Sequence, residues 1–266
     1  MYDRFNRRIN YLRISITDRC NLRCTYCMPE SGVKLMDHKE IITYEEIVDV
    51  VKHCVAHGIN KIRLTGGEPL VRKDVVDLVR MIANIDGVKD FGLTTNGIYL
   101  KKYAAELKKA GLKRVNVSLD TLDPEKFRKI PRVGNVEDVI AGIKEAKNAG
   151  LTPVKINCVI MNSSNEPDAL EVARFCKENG LEVRYIKQMQ LNSGHFSVVD
   201  GGEGGDCNIC NRLRLTADGK IKPCLFNNRE YSIRELGIPG AIENALIHKP
   251  KCGSVNTSRE FYNIGG

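Results

Sequence analysis

Three cysteines near the start of the 266-residue chain, Cys20, Cys24 and Cys27, are spaced C-x3-C-x2-C directly after the strand-like run Leu12 to Thr17. Thiolates at that spacing can hold three irons of a 4Fe-4S cluster and leave the fourth without a protein ligand. An open iron can be chelated by the amino and carboxylate groups of S-adenosylmethionine, whose sulfonium bond a low-potential cluster can then cleave. The spacing therefore points to radical chemistry. A structural zinc site is the plainer alternative, but such sites present four ligands, and this loop offers three thiols with no histidine beside them. A disulfide framework fits less well. Ten cysteines in 266 residues fall far short of the density of a small stapled domain, and no leader of charged, apolar and small residues precedes the loop.

A second triad, Cys207, Cys210 and Cys224, has the spacing C-x2-C-x13-C. Leu213 to Cys224 reads as a hairpin turning at Asp218-Gly219, which brings Cys224 back beside the first pair. Zinc would again require a fourth ligand, and Cys252 is one in principle. Cys54 and Cys176 lie on helical patterns and Cys158 on a strand, so apolar packing is the better reading for these three.

The elements that must position these groups alternate. Short β-branched runs at 12–17, 61–65, 90–94, 114–119, 153–160 and 182–187 are separated by amphipathic stretches at 44–57, 74–84, 99–110, 136–149 and 167–179. Thr43 with Glu46 three residues on forms a capping box for the first helix, and Gly58 sits where its stop is expected. Such alternation predicts a parallel sheet with helices outside, and six strands are too few for an eight-stranded barrel. An open (β/α)6 partial barrel follows. Its ligands are expected at the carboxyl ends of the strands, where the cysteine loop, Gly66-Gly67-Glu68-Pro69, Thr95-Asn96-Gly97 and Ser118 to Asp120 all fall. Glycines at 66 and 67 permit close backbone approach and unusual dihedrals, so carbonyls can face a ligand amine with the Glu68 carboxylate nearby.

Composition agrees with one sizeable domain and an appendage: 42% of residues are hydrophobic, enough for a full core, and no apolar run approaches a membrane span. A cytoplasmic protein is expected. The net charge of +8 is spread over helices with acidic neighbours and shows no basic block interleaved with aromatics, so nucleic acid is not the expected partner. Arg13, Lys61, Arg63, Lys155 and Arg184 instead fall on four strand patterns within apolar runs, where buried cations are costly unless an anion meets them. Salt bridges to Glu68 or Asp120 would serve one or two of them. A nucleoside triphosphate would serve all.

Cys20 to Cys27 with Met28-Pro29, then Thr65-Gly66-Gly67-Glu68-Pro69-Leu70, Leu93-Thr94-Thr95-Asn96-Gly97 and Asn116-Val117-Ser118-Leu119-Asp120, resemble the radical S-adenosylmethionine superfamily. Within it they look most like the GTP 3′,8-cyclase family of molybdenum cofactor biosynthesis. The resemblance runs from about Arg13 to about Met189 and resumes from Cys207 to Gly266. It implies a partial TIM barrel over 1–190, a connector at 191–206 and a small iron-sulfur-binding extension over 207–266. It also implies two 4Fe-4S clusters, the second on Cys207, Cys210 and Cys224 with an open iron for the purine of GTP.

On the same basis Gly67, Thr95 and Ser118 contact S-adenosylmethionine, Glu68 lies beside it, Tyr26 and Met189 support its adenine or methionine portion, and Asn157 meets a ribose. Arg13, Lys61, Arg63, Lys155 and Arg184 match phosphate and ribose contacts, and Arg212 and Arg214 match substrate-facing arginines beside the auxiliary cluster. Arg13 and the terminal Gly265-Gly266, like the family's diglycine tail, match groups needed for catalysis. The implied reaction is radical abstraction of the 3′ hydrogen of GTP and closure onto C8, giving (8S)-3′,8-cyclo-7,8-dihydroguanosine 5′-triphosphate. A reductant such as flavodoxin or ferredoxin is implied, and a homodimer is allowed. The rivals are a two-cluster enzyme acting on another nucleotide or on a peptide, and a non-enzymatic iron-sulfur carrier.

The chain also departs from the family. Only a glycine-rich connector, Gly194 to Asp206, stands where the cyclases have several dozen more residues, and its composition predicts a flexible link. The family's glutamate after the sixth strand's aromatic is replaced in Arg184-Tyr185-Ile186-Lys187-Gln188.

Overall fold

A computed structural model describes residues 1–264; the terminal Gly265 and Gly266, expected at the site, lie outside the described residues. Six strands, β1 (Tyr11–Ser15), β2 (Lys61–Thr65), β3 (Asp90–Thr95), β4 (Arg114–Ser118), β5 (Lys155–Ile160) and β6 (Glu182–Lys187), run parallel in sequence order. Between them lie α1 (Tyr44–Ala56), α2 (Val75–Ala83), α3 (Leu100–Lys109), α4 (Pro124–Lys129), α5 (Val136–Asn148) and α6 (Pro167–Asn179). Leu12, Ile14, Ile62, Leu64, Leu93, Val115, Val117 and Ile156 are buried and join the helices in one apolar core. Each such side chain contributes about 1.5–3 kcal/mol by leaving water. Alternation along the strands then sends Tyr11, Arg13, Lys61 and Arg63 to the opposite face.

The first helix starts as its sequence indicates: Thr43 caps Glu46 N, and Glu46 Oε2 accepts from Thr43 N at 2.8 Å. Helix α4 was not among the expected helices, although Asp123 caps Glu125 N and Lys126 N and Pro124 opens it. Strand β5 begins two residues later than expected, at Lys155 after Pro153.

The C-terminal extension is joined into the barrel sheet. Strand β7 (Arg212–Leu215) pairs parallel with β1, then β8 (Lys220–Lys222) and β9 (Tyr231–Ser232) add antiparallel, giving the order β6-β5-β4-β3-β2-β1-β7-β8-β9. The hairpin turns at Asp218-Gly219 as expected, with φ of 76° at Gly219. Helix α7 (Ile233–Ile247) is interrupted at Gly237, and a single turn, α8 (Phe261–Ile264), follows. Arg259 fastens that last segment: it donates to Asp218 Oδ2 at 2.7 Å and to Glu230 at 2.9 Å, and these carboxylates hold its pKa above the usual arginine value against the opposing effect of burial.

The connector differs from the flexible link expected. Asp200 pairs with Tyr185 of β6, Gln190 pairs with His195, and Phe196 stacks on Phe226 at 4.4 Å. Its glycines serve close packing: a Cβ at Gly205 would lie 2.0 Å from Ser197 O and one at Gly201 2.8 Å from Val183 O.

Before β1, Arg7 reaches across the molecule. Its guanidinium donates to the carbonyls of Cys207, Pro250 and Lys251 at 2.6–2.8 Å and to the buried Asp3 carboxylate at 2.7 Å. Arg7→Ala leaves that carboxylate without its counter-charge and frees the Cys207 and Cys252 segments. A loss of about 3 kcal/mol is expected in denaturant unfolding, together with selective loss of metal from the C-terminal thiols.

Candidate active site: two cavities through one barrel

At the carboxyl ends of the strands a cavity of about 200 Å³ is lined by Cys20, Cys24, Cys27, Tyr26, Gly67, Glu68, Thr95, Ser118, Asn157 and Met189. All the residues assigned to the first cluster and S-adenosylmethionine thus line one cavity. Gly67 is needed for the loop to close: a Cβ there would lie 2.4 Å from Arg19 O, while Gly67 N and Glu68 N donate to Thr17 O and Arg19 O at 2.8 Å. Neither Gly66 nor Gly67 has a positive φ, so close approach to the cysteine-loop backbone, not an unusual dihedral, explains the pair.

Glu68 is committed to the protein. Its carboxylate accepts from Thr95 Oγ1 and Asn96 N at 2.7 Å and from Leu70 N at 3.1 Å, and burial still raises its pKa to about 7 against those bonds. Tyr26 donates to Asp120 at 2.8 Å, which ties the cysteine loop to the end of β4.

The three thiols fit a metal cluster. Burial pushes Cys20 up to about 11 and Cys24 up to about 12, and it raises Cys27 as well, so as free groups they stay neutral. A bound cation reverses that balance by deprotonating a coordinating thiol outright. Among the described residues no three His, Cys, Asp or Glu side chains converge tightly enough to hold a single metal ion. The thiols share a cavity wall instead.

A second cavity, of about 600 Å³, holds every cation assigned to the substrate: Arg13, Lys61, Arg63, Lys155, Arg184, Arg212 and Arg214. Register explains the convergence. In-register parallel pairing sets Arg212, Tyr11, Lys61 and Asp90 in one row across β7, β1, β2 and β3, and Arg214, Arg13, Arg63 and Gly92 in the next. Gly92 leaves room for the Arg63 guanidinium, whose Nη1 would lie 3.1 Å from a Cβ there.

The position of this cavity differs from expectation. Tyr11, Lys61, Asp90, Arg114, Lys155 and Arg212 are the first residues of their strands, so the cationic cavity lies toward the amino ends of the barrel. It meets the cysteine cavity at Asn157, Ile186 and Met189, which line both.

The expected salt-bridge partners also need correction. Glu68 and Asp120 take bonds from neutral donors, whereas Lys61 lies 3.7 Å from Asp90 and Lys155 pairs with Glu182. The arginines also repel one another. Burial first, then the charges of Arg13 and Arg212, lower Arg214 to about 9, and Arg184 Nε and Arg212 Nε are buried with no hydrogen-bond partner among the described residues. These orphaned donors fit an anion.

Cys207, Cys210 and Cys224 line the same cavity, so a cluster there would face the arginines. Lys249, buried and absent from the sequence-based assignments, donates to Pro223 O at 2.6 Å and Arg212 O at 2.8 Å and lies 3.5 Å from Cys210 Sγ. Burial opposes ionisation of Cys210, but Lys249 and Arg212 outweigh it and hold the thiol below its usual range. Arg114 and Asn116 were missed too, although both fall on the inward face of a recognisable strand. So were Phe261 and Tyr262, which line the cysteine cavity from the far end of the chain.

An open barrel with a three-thiol loop after its first strand and a second thiol set facing a cationic lumen defines a class of radical enzyme. The Radical SAM superfamily model matches residues 14–176, and the Molybdenum Cofactor Synthesis C model matches residues 171–249. The GTP 3′,8-cyclase of Thermodesulfovibrio yellowstonii is 45% identical over 322 aligned positions that cover 100% of each chain. Since the chain has 266 residues, that relative carries residues for which this chain has none. The GTP 3′,8-cyclase of Alkaliphilus oremlandii is 40% identical over 94% of this chain and 93% of its own. Streptococcus suis SuiB bound to S-adenosylmethionine shares the fold at a TM-score of 0.66 and 17% identity, covering 86% of this chain and 64% of that longer one. The chain belongs to the radical S-adenosylmethionine superfamily and, within it, to the family of these cyclases.

Cys252 Sγ lies 3.2 Å from Cys207 Sγ. Each thiolate of a 4Fe-4S cluster binds its own iron, so three thiols with an open iron for the substrate need no contribution from Cys252. Cys252→Ala is therefore expected to leave the iron content of the reconstituted protein unchanged. Loss of iron, or a changed resting spectrum of the auxiliary cluster, would make Cys252 the fourth ligand and favour a closed site.

Proposed function

We propose that this chain is a radical S-adenosylmethionine enzyme of molybdenum cofactor biosynthesis. It converts GTP to (8S)-3′,8-cyclo-7,8-dihydroguanosine 5′-triphosphate with two 4Fe-4S clusters as cofactors. The observation that carries the reading is the adjacency of two cavities: the one that holds the first thiol set shares Asn157, Ile186 and Met189 with the one lined by arginines and the second thiol set. A cluster on Cys20, Cys24 and Cys27 supplies reductive cleavage of S-adenosylmethionine when bound.

The chain's own residues bind, orient and shield. Arg13, Arg63, Arg212 and Arg214 neutralise a polyphosphate, with guanidinium forks suited to paired phosphate oxygens. Thr95, Ser118 and Tyr26 wall the S-adenosylmethionine cavity, and Phe261 and Tyr262 cover it from the C-terminal segment. Holding the ribose against that cavity while the purine faces Cys207, Cys210 and Cys224 is the positional work the reaction requires.

We assign 1–190 to the barrel, 191–206 to the connector and 207–266 to the auxiliary region. A cytoplasmic setting and a low-potential protein reductant belong to the same reading. No described helix is long and apolar enough to cross a membrane.

Anaerobic reconstitution is expected to give about eight irons per chain, falling to about four when Cys207, Cys210 and Cys224 are all alanine. With S-adenosylmethionine, reductant and GTP, mass spectrometry should show 5′-deoxyadenosine and a new species isomeric with GTP. Cys20→Ala, Cys24→Ala or Cys27→Ala should abolish both products. Arg63→Ala should weaken GTP binding at least ~30-fold, about 2 kcal/mol for a buried charge contact. S-adenosylmethionine cleavage that proceeds with a peptide and yields nothing from GTP would assign the barrel to the peptide-modifying rival.

A further inference from the structure

One short segment after α7, Lys249-Pro250-Lys251-Cys252-Gly253, touches every thiol of the second triad. Lys249 Nζ lies 3.5 Å from Cys210 Sγ, Cys252 Sγ lies 3.2 Å from Cys207 Sγ, and a Cβ on Gly253 would stand 3.4 Å from Cys224 Sγ. Only the first of these contacts brings a charge. Lys249 also donates to Arg212 O at 2.8 Å and to Pro223 O at 2.6 Å, so it ties together the two stretches of backbone that carry Cys210 and Cys224.

A buried cation is costly unless an anion meets it. The other fully buried lysine, Lys222, has the Glu230 carboxylate at 3.5 Å. Lys249 is equally buried, and among the described residues its partners are two carbonyls and a sulfur. Carbonyl dipoles solvate an ammonium but do not neutralise it. The sulfur is the one partner that becomes an anion, when a metal binds it.

We infer that Lys249 is the counter-cation of the auxiliary cluster, a positioning residue that donates to the Cys210 thiolate and raises the cluster's reduction potential. The inference rests on the two-cluster reading above and adds to it a residue that carries no role in the family resemblance. An electron added to the cluster makes its sulfurs more negative, so a positive charge and a hydrogen bond at one of them favour the reduced form. No proton moves, and no bond forms or breaks.

The full chain with Cys20, Cys24 and Cys27 all replaced by alanine isolates the second cluster for potentiometric titration, read by electron paramagnetic resonance. Adding Lys249→Met, which keeps the length of the side chain and removes its charge and donors, should lower the ratio of reduced to oxidised cluster at a fixed applied potential at least ~tenfold, about 59 mV for one electron. An unchanged potential at unchanged iron content overturns the inference, since a purely structural tie would move iron content or stability and leave the potential of a retained cluster alone. If the parent chain holds no cluster, the two-cluster reading fails and takes the inference with it.

A second measurement keeps Lys249 in place and guards against a variant that loses its iron. The same parent chain, labelled with nitrogen-15 at lysine Nζ and reduced with dithionite, should show a lysine nitrogen coupled to the cluster spin in pulsed resonance. Lys222 bonds to no sulfur among the described residues, so it offers no such path. Absence of any lysine coupling overturns the inference.

Discussion

Parallel pairing of β1 with both β2 and β7 in a single register is the constraint on which the site depends. It stacks the cations of three strands into two adjacent rows inside a low-dielectric lumen. Two like unit charges about 6 Å apart at an effective dielectric of about 20 repel by about 3 kcal/mol, so the arrangement persists only because the apolar face of the same strands is packed against the helices. The core therefore holds like charges side by side. Gathering one sign of charge in a cleft is a common way for a fold to prepare affinity for a polyanion.

Much of this was legible in the sequence because the strands carry short β-branched runs, and all six fall within two residues of where the pattern put them. The convergence of Arg13, Lys61, Arg63, Lys155 and Arg184 could be inferred from their positions within such runs. Parallel pairing of β7 with β1 could not, because it joins residues some two hundred apart and leaves no periodicity in either segment. Lys249 was invisible for the same reason: its partners, Arg212 O and Pro223 O, belong to other elements. The carboxyl-end rule for barrels correctly located the cysteine loop and said nothing of a second cavity at the amino ends. Glycine runs misled in the connector, where Gly201 and Gly205 serve tight packing against carbonyls and not freedom.

In the proposed reading the two cavities divide the reaction between the ends of one barrel. Loops after the strands, with their glycines and thiols, line the cysteine cavity, whereas the first residues of the strands line the cationic one. Asn157, Ile186 and Met189 form the waist between them. A group transferred across that waist meets protein on its walls, which excludes water from a reactive species.

The shortened connector has a consequence at the opposite edge of the sheet. Strand β6 is the terminal strand, and one two-residue bridge, Tyr185 with Asp200, covers its outer backbone. An uncovered edge is a template for addition of another chain, and fully exposed apolar edges aggregate. Here Glu182 and Lys187 stand exposed at the two ends of β6, so a second strand approaching this edge meets charge of both signs. Addition of another chain at this edge is thus opposed by two side chains of opposite sign that lie outside the cationic cavity.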